Sequence, residues 1–337
     1  MLTAESVKKE QKERDFSVVL RRIVMPALLV ILITFFSIQC GSNFFSWYNF
    51  KNMLSQTSYV VVAGIGLTFV MIIGGIDLSI GYQMSLAGVV AGLLMVKLGI
   101  PTWVSIILIL LLGIIMGLFN GVICVKLKVF PMIITLSTSM IFQGISFTIS
   151  GAKNTIGFTK GFLFLGQGYI GEVPFCAILA GTVALIASFI LNRTYFGRHI
   201  YAIGGNEEAA HLAGINTGRM KIVIYGLCGF FSGLASLMLV ARSASSTSNL
   251  GPGTEFTALS GCILGGVTLT GGEGSIGGMV VGAFIITILG NGMQLMGMGT
   301  YPQYIAKGIV LIAAMAFDVY QKTHKRIKTK SVQNQSR

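Results

Sequence analysis

Acidic side chains are scarce in this chain. Only eleven Asp and Glu occur in 337 residues, alongside three His and five Cys, and charged residues make up 10% of the whole. Each shortage excludes something. A soluble domain of this size needs a charged surface, and this chain has little to make one from. A carrier that runs on a proton or sodium gradient needs acids deep in its bundle. Here the apolar segments hold only Asp77 and, at the end of the last one, Asp318, while Glu255 is placed at the outer rim. His199, His211 and His324 lie apart and without clustered acids, so solvated histidines are expected rather than a metal site. Cys40, Cys124, Cys176, Cys228 and Cys262 are odd in number, widely spaced and apolar in setting. They read as small packing residues, not disulfides or ligands. No Walker A loop, HExxH or paired CxxC is found. The chain therefore carries neither an acid–base constellation for catalysis nor an energy source of its own, and no cofactor is expected.

What the chain has instead is hydrocarbon and glycine. Apolar residues reach 53% and mean hydropathy is +0.80. Apolar runs of about twenty residues recur, each long enough to cross a hydrocarbon layer of roughly 30 Å. The predicted class is an all-α polytopic membrane protein. Its ten segments are expected at 23–40, 53–74, 82–96, 103–125, 132–150, 173–191, 222–241, 256–270, 276–296 and 303–320, the third and eighth short. The basic flank Arg21-Arg22 before the first run resembles a signal peptide, and Ser37-Ile38-Gln39-Cys40 resembles a lipoprotein site. No small-residue cleavage site follows the first run and Gln39 is too large for the second, so a first membrane span explains both better. Glycine numbers 44. Gly113, Gly117 and Gly121, then Gly229 with Gly233 and Gly278 with Gly282, stand four apart, the spacing that lets membrane helices pack backbone to backbone.

Cations set the orientation. An even number of spans puts both termini on one side, and that side carries eighteen of the 24 Lys and Arg, including Lys126, Lys128, Arg193, Arg198, Arg219 and Lys221. It is read as the cytoplasmic side. The net charge of +13 is then a topology signal and a contact with anionic lipid heads, not a nucleic-acid surface. The chain divides into a cytoplasmic segment 1–22, a transmembrane domain 23–320 and a basic cytoplasmic tail 321–337. Its longest outer loop is 151–172 and its longest inner loop 192–221.

Two glycine pairs interrupt the apolar runs. GGIDLSIG at 74–81 ends one helix at Gly74-Gly75 and offers Asp77 or Ser79 as the cap of the next. GGVTLTGGEGSIGG at 265–278 repeats the pattern Gly-Gly-x-x-Leu-[Ser/Thr]. Broken helices in matching places suggest a transporter built from two related halves, and with all ten segments crossing, both copies run the same way. Gly272 to Gly277 also fit G-x-G-x-x-G, but no strand precedes them and no acid lies near 292–297, so a nucleotide site is not expected.

The centre of the inner loop, GGNEEAAHLAGINT at 204–217, is the most polar stretch between spans. Asn206 caps a short helix over about 207–213, Glu207 and Glu208 occupy its favourable first turn, and Gly214 ends it. Glu208, Leu212 and Ile215 share a stripe, and Ala209, Ala210 and Ala213 keep the helix slim. A slim helix with an acidic start and an apolar knob suits a groove on a partner better than an anionic membrane surface.

GRHIYAIGGNEEAAHLAGINT, 197–217, resembles the cytoplasmic coupling segment of permeases from bacterial ABC-type monosaccharide importers of the ribose, xylose, arabinose and galactose branch. GGIDLSIG (74–81), FNGVICVKLKVFPMIITLSTSM (119–140), ALSGCILGGVTLTGGEGSIGG (258–278) and YPQYIAKGIVLIAA (301–314) follow in the family's order. The resemblance implies a multi-pass permease of the bacterial inner membrane with both termini cytoplasmic. It implies cytoplasmic ABC ATPase subunits, an extracytoplasmic sugar-binding protein and a second permease subunit, identical or related. A coupling helix drawn from Gly205, Asn206, Glu207, Glu208, Ala210, Leu212, Gly214 and Ile215 would enter a cleft of the ATPase. The family's Pro-Phe-Ile-x-Thr-Leu-Gly-Thr reads here as Pro131 to Thr138 with Met132 and Ser137. Gln143 stands where arginine is common, and Glu273 where a basic residue is common. These departures bear on the substrate and on the partner contact near 273. Polarity and position nominate Asp77, Ser79, Asn120, Thr135, Ser137, Thr138 and Asn291 for the translocation pathway, although Ser and Thr often bond their own helix backbone. The alternative is an ion-coupled secondary carrier using Asp77. An intramembrane enzyme finds no catalytic constellation.

Overall fold

The computed structural model describes residues 27 and 29–316. The expected cytoplasmic segments 1–22 and 321–337, with Asp318 and His324, lie outside the described residues. The chain divides into two units, Phe45–Thr287 and the described parts of Met1–Phe44 with Ile288–Arg337.

In the larger unit α2, Trp47–Ile72, opens with Ser46 as a working cap, its hydroxyl accepting from Asn49 N at 3.1 Å. Then come α3, Ile80–Lys97, whose last turn is a π-helix, α4, Thr102–Leu127, and α5, Pro131–Ser150, with Pro131 in the first turn where its missing N–H costs nothing. Further on are α6, Lys160–Gln167, α7, Phe175–Arg193, α8, Tyr195–Gly205, α9, Glu207–Leu212, α10, Thr217–Ser243, and α11, Thr254–Leu264. The long helix α12, Ile276–Leu295, is shared with the second unit.

Seven helices among the described residues are long and apolar enough to cross a membrane: α2, α3, α4, α5, α7, α10 and α12. Each coincides with a predicted segment. The other three predicted segments hold shorter helices. The first contains α1, Leu29–Asn43, and the last is helical over 300–316, the limit of the described residues (α13). The eighth predicted segment, 256–270, contains α11, which has 11 residues and so spans about 16 Å, half of a hydrocarbon layer. Gly265 and Gly266 stop it there.

The core is built where glycine removes the side chain between helices. α4 and α10 meet along the predicted glycine seam: a Cβ on Gly113 would lie 2.4 Å from the Gly229 carbonyl oxygen, and one on Gly117 would lie 2.1 Å from that of Tyr225. Gly282 approaches Gly261 in the same way, 2.0 Å from a built Cβ to the carbonyl oxygen. In lipid, where burial brings no hydrophobic gain, such close van der Waals packing holds helices together. α2 is sheathed on most sides, with Val62, Ile65, Leu67, Phe69, Val70, Met71 and Ile72 buried. By contrast Ile107, Leu111 and Ile115 on α4 and Leu185 and Phe189 on α7 are exposed at helical spacing, as lipid-facing stripes should be.

The loop predicted over 151–172 is more ordered than its sequence suggests. β1, Thr155–Ile156, pairs antiparallel with β4, Ser245–Ser246, and β2, Tyr169–Ile170, pairs with β3, Val173–Pro174. Phe162 of α6 is fully buried in a cluster with Leu86, Met95, Phe158 and Leu237. Lys51 Nζ lies 2.7 Å from Glu172 Oε2, which also accepts from Trp47 Nε1 at 2.9 Å. The same ammonium stands over the rings of Trp47 and Tyr169, 5.7 and 5.5 Å from their centroids. The Lys51 and Trp47 donors hold the Glu172 carboxyl below its ordinary value. In the smaller unit Gly292 lies under the ring of Phe36, which stacks on Phe44 at 6.0 Å. All five cysteines are free thiols, and all but Cys40 are buried.

Candidate coupling segment and polar node

The inner loop predicted over 192–221 is two helices and their caps. The first, α8, was not legible as a helix among its glycines. Thr194 caps it, its hydroxyl accepting from Gly197 N at 3.3 Å, and Ile200 and Ile203 bury one face. On that face Tyr201 Oη donates to the carbonyl of Gly274 at 2.7 Å. Gly204 packs against α2's end so tightly that a Cβ would sit 1.8 Å from the Ile72 carbonyl oxygen and 2.5 Å from Gly272 N. Gly272 N in turn donates to Ile72 O at 2.8 Å. The second glycine loop therefore packs against the end of α2, and α8 rests on both. Thr68 with Cys262 (3.4 Å) and Ile72 with Gly272 make successive contacts in the same order along both segments, so these segments run in the same direction.

Asn206 is extended, φ −160° and ψ 106°, which breaks the helix between α8 and α9. Its Oδ1 accepts from Ala209 N at 2.9 Å, the predicted cap. Glu207 and Glu208 fill the first turn, where the helix dipole favours them. α9 ends at Leu212, one residue before the expected limit, and Gly214 (φ +88°) turns the chain, with Ile215 N donating to Ala210 O at 3.1 Å. Ala210 is buried against the rest of the chain, whereas Leu212 is 87% exposed, a large apolar side chain with nothing of its own protein over it. Lys221 Nζ meets Glu207 Oε2 at 2.6 Å and ties α9 to the first turn of α10. A pair this exposed is worth at most about 1 kcal/mol. Gly205, Asn206, Glu207, Glu208, Ala210, Leu212, Gly214 and Ile215 thus all stand on one short hairpin.

The predicted pathway residues separate into a knot and its surroundings. Asp77, Ser79 and Asn120 are fully buried together with Gln83, a member the sequence reading missed. Asp77 Oδ1 accepts from Ser79 N at 2.9 Å and from Ser79 Oγ at 2.6 Å. Gln83 Nε2 and Asn120 Nδ2 then donate to that same Oγ at 2.7 and 2.8 Å. A hydroxyl has one proton and two lone pairs, and all three are used here. This fixes which way both amides point. Neither Asp77 nor Ser79 caps the first turn of α3 with its side chain, contrary to expectation: Asp77 takes the N–H of the N-cap residue itself. Thr135 clamps the broken segment, accepting from Leu78 N and donating to Ile76 O, both at 3.2 Å. Ser137 and Thr138 bond their own helix, at Ile133 O (2.9 Å) and Thr135 O (3.1 Å), and so do not join the knot. Asn291 is buried on α12, in the smaller unit. Gln83 lies four residues beyond Ser79 on α3, and that spacing was the signal available for it.

Long apolar helices, two broken ones and a capped hairpin on a buried stem define the class: an all-α, multi-pass membrane permease. The chain belongs to the permease-component family described as the branched-chain amino acid transport system / permease component, which it matches over residues 49–315. It is similar to the ribose import permease protein RbsC of Haemophilus influenzae, 38% identical over 301 residues covering 88% of this chain and 93% of that protein. It is 33% identical over 332 residues to the galactose/methyl galactoside import permease protein MglC of Escherichia coli, covering 93% and 98%. With the xylose transport system permease protein XylH of Haemophilus influenzae it shares 30% identity over 367 residues, covering 91% and 98%. No solved structure matches the chain.

Proposed function

We propose that this chain is the membrane-spanning permease subunit of an ATP-driven importer that carries a monosaccharide, a ribose-like pentose or a hexose, across the bacterial inner membrane. The α9 hairpin is its coupling element. Separate cytoplasmic ATPase subunits receive α9 in a cleft, an extracytoplasmic binding protein delivers the sugar, and a second permease subunit, identical or related, completes the pathway. Both termini and α9 lie on the cytoplasmic side, in keeping with the Lys and Arg asymmetry.

The observation that carries this reading is Leu212. An 87% exposed leucine at the tip of a side-chain-capped helix is costly to leave in water, and a partner groove relieves that cost. Nucleotide-driven closure of the ATPase pair would push α9. The stem α8 would pass the push to Ile72 and Gly272, and so to the ends of α2 and α11. The bonds from Ser79 N and Oγ to Asp77 Oδ1, with the Ser79 hydroxyl itself fully used, favour a fixed anchor for the broken helix over an ion-coupled carrier. The deciding experiment is sugar uptake and ATPase co-purification with Leu212→Asp in cells that retain normal membrane levels of the permease. Uptake and co-purification are both lost if α9 couples, and both survive if it does not.

A further inference from the structure

The end of the bundle that bears α9 also holds a cavity, closed on one side by the first turn of α9. Its volume is about 780 Å³, within the range of small-molecule sites. Gly75 of the first glycine loop, Lys128 at the end of α4, Lys221 and Tyr225 of α10, and Glu207 and Glu208 of α9 line it. Two carboxylates face two ammonium groups, and one pair of them, Glu207 and Lys221, is joined at 2.6 Å. The charges cancel, so the walls carry little net field and combine these polar groups with apolar ones, Ile73, Val125 and Val129 among them. Such a lining suits a neutral, polar solute rather than an anion or a cation.

Tyr225 sharpens the assignment. It is 1% exposed, and its hydroxyl has no hydrogen-bond partner among the described residues. The oxygen lies directly behind Gly75, where a Cβ would come within 2.8 Å of it, so glycine alone leaves room beside this hydroxyl at the cavity wall. An unpaired buried hydroxyl costs about 1–3 kcal/mol, which a ligand hydroxyl recovers by pairing with it.

We infer that this cavity is a product site. On the cytoplasmic face it takes a neutral, hydroxyl-rich solute of monosaccharide size, and its occupancy restrains α9 and slows the ATP-driven cycle. The inference rests on the importer reading. The mechanism is differential binding: the walls belong to α9 on one side and to α4 and α10 on the other, so a ligand spanning them favours the arrangement in which they stand together. Import then slows as free sugar accumulates inside.

The test uses the intact transporter in liposomes, ATPase subunits facing outward, with sugar-loaded binding protein sealed within. D-Ribose, D-xylose and D-galactose are added outside as probes, and ATP hydrolysis is measured. At least one probe should slow hydrolysis saturably. Tyr225→Phe and Lys128→Asn should each raise the half-inhibiting concentration about fivefold, the effect of one lost hydrogen bond, and leave hydrolysis without external sugar unchanged. Asn is chosen at position 128 because the backbone there has φ +52°, which Asn tolerates. Lys128 is exposed, so its variant keeps the test sound if Tyr225→Phe folds poorly. Hydrolysis indifferent to all three sugars up to about 100 mM, where even a site of about 1 mM affinity is filled, overturns the inference. Inhibition with an unshifted midpoint in both variants overturns it too. If sealed binding protein does not stimulate the wild-type ATPase before any external sugar is present, the importer reading itself fails.

Discussion

Gly204 stands against Ile72 so closely that a β-carbon on the glycine would fall 1.8 Å from the isoleucine carbonyl oxygen. That oxygen already accepts from Gly272 N at 2.8 Å. One peptide group therefore joins three things: the stem of the α9 hairpin, the end of α2 and the second glycine loop. A close-packed bundle transmits displacement rather than absorbing it, so under the proposed coupling role this contact is where a push on α9 would enter the membrane.

Gly204→Ala should separate transport from hydrolysis. The added methyl must push the stem away from Ile72, while the α9 surface keeps its shape. ATPase subunits should co-purify as with wild type and hydrolyse ATP, but sugar carried per ATP should fall at least about tenfold, as a displacement near 1 Å in a coupled mechanism does. Unchanged stoichiometry would show that force travels by another route.

Glu208→Lys tests the partner contact from the other direction. A cation in the first turn opposes the helix dipole by only about 0.3–1 kcal/mol, too little to unfold a hairpin held by Asn206 and Gly214. Membrane level and thermal stability should match wild type while ATPase co-purification drops. Retained co-purification would place the partner surface elsewhere.

Asp77 should behave as an anchor. Asp77→Ala strands the Ser79 N–H and hydroxyl, each of which Asp77 Oδ1 now accepts. A loss of about 2 kcal/mol or more is expected, read as a lower melting temperature in detergent. Asp77→Asn keeps an acceptor oxygen in that place and should retain most of the stability and transport. Full stability with abolished transport in Asp77→Asn would instead speak for a proton or cation carried at this carboxylate.

The Lys51–Trp47–Glu172 contact should titrate. The Glu172 carboxyl is held below its ordinary value of 4.5 by the Lys51 and Trp47 donors. A depressed carboxyl contributes its contact fully above the ordinary value and loses it as pH falls through the depressed one. Tryptophan emission should therefore hold steady from neutral pH to about 4.5 and shift below it. Glu172→Gln should show no such step, and an identical step in that variant would assign it to another group.

Much of this was legible in the sequence, and the reasons are local. The seven long spans declare themselves because a helix facing lipid must be apolar over its full length. Asn206, Glu207 and Glu208 are readable because capping is a matter of neighbours a few residues apart. The seam of Gly113 and Gly117 is readable because small residues at spacing four have few other uses in a membrane helix. What the sequence concealed is set at long range. α11 is as apolar as a spanning helix and is cut short only by where Gly265 and Gly266 fall. Tyr201 and Gly204 look like ordinary loop residues until Gly274 and Ile72, distant in sequence, are brought against them. Gln83 is the local exception, since its bond to the Ser79 hydroxyl spans only four residues. Ser137 and Thr138, nominated for the pathway, bond their own backbone turn, as polar side chains in a helix often do.

The most direct measurement is accumulation of labelled sugar by liposomes holding purified permease, first alone and then with its ATPase subunits, binding protein and ATP. The account expects uptake against a gradient only in the complete system, and its loss there on Leu212→Asp. Concentration of sugar by the permease alone, driven by an imposed proton or sodium gradient, would contradict it.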